Sequence, residues 1–203
     1  EQYGGGGCGI AEASIVLEEV AASGAAMNGC SAIHLSIFGM NPIVRFGSEA
    51  MRQRYLPAVA AGDLHVAFGV TEPDAGTDTT NIRTRAIQDG DSYIVRGQKV
   101  WMSKASFCQK TLLLVRTTPL EEMQKRTDGL TLLFADLDAP GVQINPIARV
   151  GRNAVVSCEV VFDDLVVPVG DRVGEEGEGF KYLLHGLNPE RILVAAEAIG
   201  IGR

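Results

Sequence analysis

The first part of the chain has the hydrophobic spacing of helices. From about residue 10 to residue 61, apolar residues recur every three or four positions, which is typical of amphipathic helices. Turn-forming residues interrupt this spacing at Ser23-Gly24, around Asn41-Pro42 and at Phe46-Gly47-Ser48. The pattern therefore predicts three helices in this region.

The third of these helices carries recognisable end signals. Ser48 can cap its N-terminus, and Glu49 places a carboxylate in the first turn. Gly62 can stop it with a left-handed conformation, and we expect Pro57 to bend the helix or end it earlier.

From His65 onward the chain changes to short runs rich in Val, Leu, Ile, Thr and aromatic residues, which predict strands. Asp89-Gly90 lies between two such runs and predicts a tight hairpin. Seven strands separated by turn residues favour an antiparallel barrel or sandwich. They are expected at His65–Thr71, Ile82–Gln88, Tyr93–Ser103, Thr111–Thr117, Leu130–Asp136, Gln143–Ala148 and Cys158–Leu165.

Helical spacing returns at Gly179 and continues to the last residues. Asn188-Pro189 interrupts it, because a proline lacks the N–H that would bond four residues back. Either the helix kinks there, or a second helix begins with Asn188 as N-cap and Pro189 in the first turn. Together the three regions predict an α+β fold.

Charge narrows the classes of partner. The 203 residues carry a formal net charge of -7, which offers no attraction to nucleic acid or to an anionic membrane surface. We therefore expect neither as a partner. An anionic cofactor or substrate would be bound by local backbone N–H groups and a few placed cations.

Metal and secretion signals are weak. No apolar run reaches the roughly 18 residues that cross a bilayer, and the first residues do not resemble a signal peptide. Because the chain begins without Met and stops inside a helical pattern, we expect an excised segment. The cysteines form no C-x-x-C pair, and the histidines have neither metal spacing nor a catalytic triad partner. We therefore expect no metal site, and we expect these side chains to have packing or surface roles. These residues are Cys8, Cys30, Cys108, Cys158, His34, His65 and His185.

Two segments carry candidate chemistry. The first, 68–78, ends a predicted strand in a turn with hydroxyls and free N–H groups, which can bind an anion or a cofactor edge or be an ordinary turn. The second, 97–103, places Trp101 and Ser103 two residues apart on one face of a strand. That pair can stack on and hydrogen-bond to a heterocycle, or Trp101 can fill the core.

These segments resemble the acyl-CoA dehydrogenase family. Residues 70–78, VTEPDAGTD, are similar to the family's T-E-P-x-A-G-S-D segment, and 97–103, GQKVWMS, to its G-x-K-x-W-I-T segment. Weaker matches extend the resemblance over the whole chain. They are EQYGG at 1–5, QRYLP at 53–57, VFDDLVVP at 161–168, and GEGF at 177–180 leading to Arg191.

The resemblance implies a helical N-terminal domain, a β-barrel-like middle domain and a C-terminal four-helix bundle, with FAD between the last two. The chain would supply residues 1–64 of the first, 65–178 as the second and 179–203 as the start of the third. It also implies a homo-oligomer, dimer or tetramer, in the cytoplasm of a bacterium or the mitochondrial matrix of a eukaryote. Secretion is not expected.

The resemblance also implies the residues around FAD. Thr77 stands where the family usually has Ser, and Ser103 where it usually has Thr, so both hydroxyls are kept. The implied cofactor contacts are Phe68, Val70, Thr71 and Gly76 along the flavin ring or phosphate path, Thr77 at the pyrophosphate and substrate, and Trp101 and Ser103 at the exposed flavin edge.

The catalytic base has two placements in the family. Many members use a Glu late in the C-terminal bundle, whereas isovaleryl- and long-chain acyl-CoA dehydrogenases use a Glu just before an Arg on the first bundle helix. Glu190 matches the second placement, with Asn188 and Arg191 at substrate-contacting positions. The alternative is that Glu190 is only a favourable first-turn carboxylate, whose pKa a helix N-terminus would lower.

The implied activity is the dehydrogenation of an acyl-CoA thioester to a trans-2-enoyl-CoA, as in fatty acid β-oxidation. Glu190 would take the α-proton, the β-hydrogen would leave as hydride to the flavin, and an electron-transferring flavoprotein would accept the electrons. Two alternatives remain open: an acyl-CoA oxidase or flavin monooxygenase on the same fold, and a β-domain that serves only as a binding or scaffold module.

Overall fold

A helical segment precedes a β-sheet, and a long helix follows it, in the computed structural model, which describes residues 1–152 and 154–203. This order confirms the predicted α+β class. The helices are α1 (Ile10–Val20), α2 (Ala26–Phe46), α3 (Glu49–Ala61) and α4 (Gly179–Gly202), with a π-helical turn at Ala21–Ala25 between the first two.

The predicted ends of α3 are confirmed. Ser48 Oγ accepts a hydrogen bond from the Met51 backbone N–H at 3.1 Å, and Gly62 takes a left-handed conformation with φ 83°. Pro57 does not end the helix, which continues to Ala61. Local cap chemistry was thus a better guide to this helix than its internal proline.

The two other helices that contain a proline are continuous, so the predicted break at Pro42 and the predicted second helix start at Asn188 are wrong, while a kink at Pro189 stays a prediction. α2 runs through Pro42, and α4 runs through Asn188 and Pro189 without a second start. Pro42 is buried, and a side chain built on Gly186 of α4 would lie 3.3 Å from its Cγ. Close tertiary packing of these helices therefore outweighs the loss of one backbone donor per proline.

All seven predicted strands are present with slightly different ends. An eighth, of two residues, is too short to produce a periodic signal and was not predicted. The strands are β1 (Val66–Gly69), β2 (Arg85–Asp89), β3 (Ser92–Ser103), β4 (Lys110–Arg116), β5 (Leu130–Asp136), β6 (Val142–Pro146), β7 (Ser157–Pro168) and β8 (Arg172–Val173).

The strands form one sheet in the order β6-β7-β3-β2-β4-β5-β8, with β1 also paired to β4. The predicted hairpin joins β2 and β3, and Gly90 at its turn has φ 56°. An antiparallel barrel or sandwich was predicted, and the sheet is mixed, because β1 and β2 both run parallel to β4. The intervening β2–β3 hairpin returns the chain so that β4 enters in the same direction as β1.

Hydrophobic side chains fill both faces of the sheet. One cluster, including Tyr93, Val95 and Phe162, lies among β3, β4, β5 and β7. A second packs α2, α3 and α4 against β1, β4 and β5, and a third joins α1, α2 and α4. These contacts fix α4 against both the helical segment and the sheet.

A buried polar network also ties α3 to the sheet. Tyr55 Oη donates to Asp171 Oδ1 at 2.8 Å. Lys110 Nζ lies 2.9 Å from Asp136 Oδ1, 3.5 Å from Asp171 Oδ2 and 4.8 Å from the centre of the Tyr55 ring. Burial raises the pKa of Tyr55, and its bond to Asp171 adds to the rise.

Among the residues that the structure describes, none of the helices has both the length and the hydropathy needed to span a bilayer.

Candidate active site

The turn after β1 is held from within by Glu72. Its backbone exchanges two 3.1 Å hydrogen bonds with Ala75. Its carboxylate accepts the backbone N–H groups of Arg83 at 2.6 Å and Thr84 at 2.9 Å. These bonds fix the path of residues 70–78, the first of the two candidate segments.

Lys99 also holds the turn after β1, from the protein interior. Its side chain is fully buried, and Nζ donates to Val70 O at 3.0 Å and to Glu72 Oε1 at 2.8 Å. Burial lowers the pKa of Lys99 to about 8, although the charge of Glu72 opposes the change. Burial alone would raise the pKa of Glu72, but Lys99 and the hydrogen bonds hold it below its ordinary value.

This ion pair was not predicted from the sequence. A signal was present, because Lys99 has the same parity along β3 as the buried Tyr93 and Val95. A lysine at an inward-facing strand position requires a buried partner.

The second candidate segment joins the first through the backbone. Val100 N–H donates to Thr71 O at 2.9 Å. The register of β3 against β7 shifts between Lys99 and Met102, and Trp101 in this bulge has φ 60°. As a result Met102 is fully buried while Trp101 is 61% exposed. The alternative that Trp101 fills the core is therefore wrong.

Gly97 permits the close crossing that places this bulge. It has φ 150°, and a Cβ built on it would lie 2.6 Å from Thr84 Cα. Thr84 is the residue whose N–H binds Glu72, so the strand crossing and the turn are parts of one packed unit.

These residues fit a flavin by their chemistry. The exposed Trp101 offers a flat apolar face, and the half-buried Ser103 offers a hydroxyl two residues further along β3. Thr71, whose carbonyl oxygen accepts from the Val100 N–H, offers a second hydroxyl. Gly76 and Thr77 are exposed, and a Cβ built on Gly76 meets no other residue within 4 Å, so the turn is open to a ligand.

Two predicted cofactor contacts lie in other surroundings. Phe68 is half-buried and packs against the cluster between the sheet and the helices. Val70 is buried in that cluster, and its carbonyl binds Lys99. Phe68 and Val70 therefore have little side-chain surface free to contact a ligand.

Two of the three predicted substrate contacts, Asn188 and Arg191, lie together on α4, whereas Thr77 lies in the turn after β1. Arg191 donates to Asn188 Oδ1 at 2.7 Å, and both residues are exposed. Glu190 lies between them in sequence but is half-buried. Its Oε2 is buried and has no hydrogen-bond partner in residues 1–152 and 154–203.

Burial raises the pKa of Glu190; the charge of Arg191 opposes this rise and that of Glu197 adds to it. Since α4 begins at Gly179, Glu190 is not a first-turn residue, and the alternative of a helix-start carboxylate is wrong. A buried carboxyl with a raised pKa and an oxygen free to accept is suited to taking a proton near neutral pH.

The two candidate segments and α4 are linked through α2. Lys104, next to Ser103, donates to Ala32 O on α2 at 3.1 Å. On the same helix, His34 Nδ1 lies 2.5 Å from Glu197 Oε1 on α4. In the described part of the chain, no hydrogen bond or salt bridge joins Glu190 directly to residues 68–77 or 101–103.

Within residues 1–152 and 154–203, no group of three or more His, Cys, Asp or Glu side chains is placed to hold a metal ion. His34 is buried and stacks on Phe38 with ring centres 4.5 Å apart.

Family models match most of the chain. The model described as acyl-CoA dehydrogenase, N-terminal domain, matches residues 1–63, and that described as acyl-CoA dehydrogenase, middle domain, matches residues 67–165. Both candidate segments around the turn lie within the second match.

Individual relatives agree. The acyl-CoA dehydrogenase FadE12 of Mycobacterium tuberculosis is 39% identical over 206 residues, which cover 100% of this chain and 51% of the relative. Butyryl-CoA dehydrogenase from Megasphaera elsdenii is 29% identical with a TM-score of 0.90, covering 98% of this chain and 52% of that one. A chain in a structure of the electron transferring flavoprotein of Acidaminococcus fermentans is 29% identical with a TM-score of 0.91, covering 98% and 51%. The chain thus spans about half the length of the relatives it matches.

Proposed function

The chain belongs to the acyl-CoA dehydrogenase family, and we propose that it serves the FAD-dependent dehydrogenation of an acyl-CoA thioester to a trans-2-enoyl-CoA, with Glu190 as the base. The observation that carries this proposal is the Glu190 carboxyl: it is half-buried, its pKa is raised, and its Oε2 has no partner among the described residues. A structural carboxylate would have its oxygens hydrogen-bonded.

The cofactor would be held by the turn after β1 and the bulge of β3. Trp101 and Ser103 would lie at the flavin edge, and Gly76 and Thr77 at the phosphates, where an open turn leaves backbone N–H groups accessible. When bound, FAD would supply the hydride acceptor. The ion pair of Glu72 and Lys99 would keep the turn in its binding shape. The proposed contacts also include Phe68, Val70 and Thr71.

Glu190 would take the α-proton of the thioester onto its carboxylate, whose Oε2 is buried and has no hydrogen-bond partner among the described residues. The raised pKa suits this step, because a carboxylate with ordinary acidity is a weak base at neutral pH. Asn188 and Arg191 would hold the substrate beside it, since their mutual hydrogen bond fixes both side chains on the exposed side of α4.

The proposal includes the partners that the family resemblance implies. An electron-transferring flavoprotein would accept the electrons, consistent with the similarity to a chain in a structure of such a flavoprotein. A homo-oligomer would form the working unit, and β-oxidation of fatty acids is the metabolic role that this chemistry serves.

An anaerobic titration tests the proposal. The FAD-loaded protein is mixed with a panel of acyl-CoA thioesters, from short to long and branched, and flavin absorbance is followed. We expect at least one thioester to bleach the flavin and yield the 2-enoyl-CoA. Bleaching by none of them would favour a binding or scaffold module, and rapid peroxide release on admitting oxygen would favour an oxidase or monooxygenase.

A further inference from the structure

A second buried carboxyl lies on the same face of α4 as Glu190. Glu197 follows it by seven residues, and such residues lie about 20° apart around a straight helix. Glu197 is fully buried, and its Oε2, like that of Glu190, has no hydrogen-bond partner in the ranges that the structure describes. Two partnerless carboxyl oxygens on one buried helix face are unusual in a folded protein.

His34 of α2 holds Glu197 in place. Its Nδ1 is 2.5 Å from Glu197 Oε1, and its ring stacks on Phe38. Burial lowers the pKa of His34, Glu197 opposes this change, and the charges of Arg152 and Lys104 support it. Because a carboxylate oxygen only accepts, His34 supplies the proton of this hydrogen bond through its Nδ1–H.

Other ionisable groups of the described residues lie around the α4 face that carries Glu190 and Glu197. Cys30 faces Glu197 from α2, and burial raises the pKa of its thiol, with a contribution from Glu197. Arg152 and Lys104 approach His34 from outside the helices, and Arg191 is next to Glu190 on α4 itself. On α1, the carboxylates of Glu18 and Glu19 instead pair with Arg203.

We propose that Glu197, held by His34, is a positioning residue whose negative charge favours the protonated form of the base Glu190. This inference rests on the proposed role of Glu190. The two residues are about 10 Å apart along the helix axis, and the protein between them screens charge far less than water does. Repulsion between the carboxylates favours the proton on Glu190, which is the direction in which Glu197 acts on its pKa.

The substitution Glu197→Gln removes the charge and keeps an oxygen that can accept from His34. The titration of the Glu190 carboxyl is followed by infrared spectroscopy, with its band identified by its loss in Glu190→Gln. We expect the Glu190 titration to move to lower pH. In parallel, the rate of flavin reduction at the pH where the wild type is half-maximal should rise by up to about twofold.

Glu19→Gln is the matched control, because it removes the same charge from an exposed position where solvent screens it. It should leave the Glu190 titration in place. An unchanged or upward-shifted titration in Glu197→Gln would overturn the inference. The infrared titration does not depend on turnover, so the inference can fail while Glu190→Gln still abolishes flavin reduction, and the reverse.

If Glu197→Gln does not fold, a second pair of variants tests whether Glu197 affects the titration of Glu190. His34→Asn keeps a donor near the place of Nδ1, whereas His34→Leu removes it. A buried carboxylate without a donor gives up its charge. His34→Leu should therefore move the Glu190 titration to lower pH and His34→Asn should not; equal titrations in both would overturn the inference.

Discussion

Glu190 owes its chemistry to its surroundings in α4. Its side chain is half-buried well inside the helix, so desolvation acts on the carboxyl and the dipole of the helix N-terminus does not. The sequence predicted which residue could be the base. It did not predict the sign of the pKa shift, because that depends on whether Asn188 starts a helix or lies within one.

The raised pKa of Glu190 predicts the pH dependence of flavin reduction. The base acts in its ionised form, so the rate should fall as pH drops through the raised pKa and level off above it. Stopped-flow bleaching with one acyl-CoA between pH 5 and 9 measures this. A rate that stays constant or rises toward acid pH would be incompatible with a carboxylate base.

We expect the substitution Lys99→Met to lower the stability of the protein strongly. Replacing Lys99 by Met leaves the Glu72 carboxylate buried without its cation, which typically destabilises a protein by about 3–5 kcal/mol. Urea unfolding measures the change. The matched variant Arg96→Met breaks the exposed pair of Arg96 with Asp164, and we expect a loss below about 1 kcal/mol. Equal losses in the two variants would show that Lys99 is not an internal support.

At the scale of elements, β3 combines features that its residue pattern does not reveal. Alternation predicted the strand and its partner in the β2–β3 hairpin. The bulge that exposes Trp101 is a consequence of pairing with β7, a strand more than fifty residues later. Register between distant strands depends on their packing, and that information is not local.

A side chain at Gly97 should destabilise β3. Gly97→Ala forces a side chain to within 2.6 Å of Thr84 Cα at a positive φ, and we expect a loss of about 1–3 kcal/mol with weaker FAD binding. Gly170→Ala is the control, because a Cβ there meets no other residue within 4 Å, and its effect should stay within about 0.5 kcal/mol. Thermal unfolding and flavin titration measure both; a harmless Gly97→Ala would contradict the proposed close crossing.

The helices show the same limit of local signals. Ser48 and Gly62 marked the ends of α3 correctly, since capping involves only neighbouring residues. Pro42 suggests a break and Asn188-Pro189 allows a second helix start, but both prolines lie inside continuous helices. The packing of α2 against α4 that sustains them involves residues far apart in sequence.

At the scale of the whole molecule, hydrophobic clusters and polar contacts join the helical segment, the sheet and α4. Helical spacing and strand-like runs predicted the α+β class, and the family resemblance implied the arrangement of the domains. The division into residues 1–64, 65–178 and 179–203 stays a prediction. The polar contacts between these parts, such as His34 with Glu197 and Tyr55 with Asp171, were not predictable because each joins residues more than one hundred positions apart.

The hydrogen bond of Tyr55 should contribute to the stability of the contact between α3 and the sheet. Tyr55→Phe removes a buried hydrogen bond to Asp171 and should lower the free energy of unfolding by about 1–3 kcal/mol. Tyr3→Phe removes an exposed bond to Glu49 and should change it by less than about 0.5 kcal/mol. Urea titrations compare the two variants. If Tyr3→Phe were the more damaging change, the attachment of α3 would lie elsewhere.

The most direct test of the proposed function is the anaerobic rate of flavin reduction in Glu190→Gln. Glutamine keeps the size of the side chain and cannot take a proton. With FAD bound and a thioester that bleaches the wild-type flavin, we expect the rate to fall by about 10²- to 10⁴-fold, while FAD affinity is unchanged. A variant that reduces its flavin at the wild-type rate would show that Glu190 is not the base.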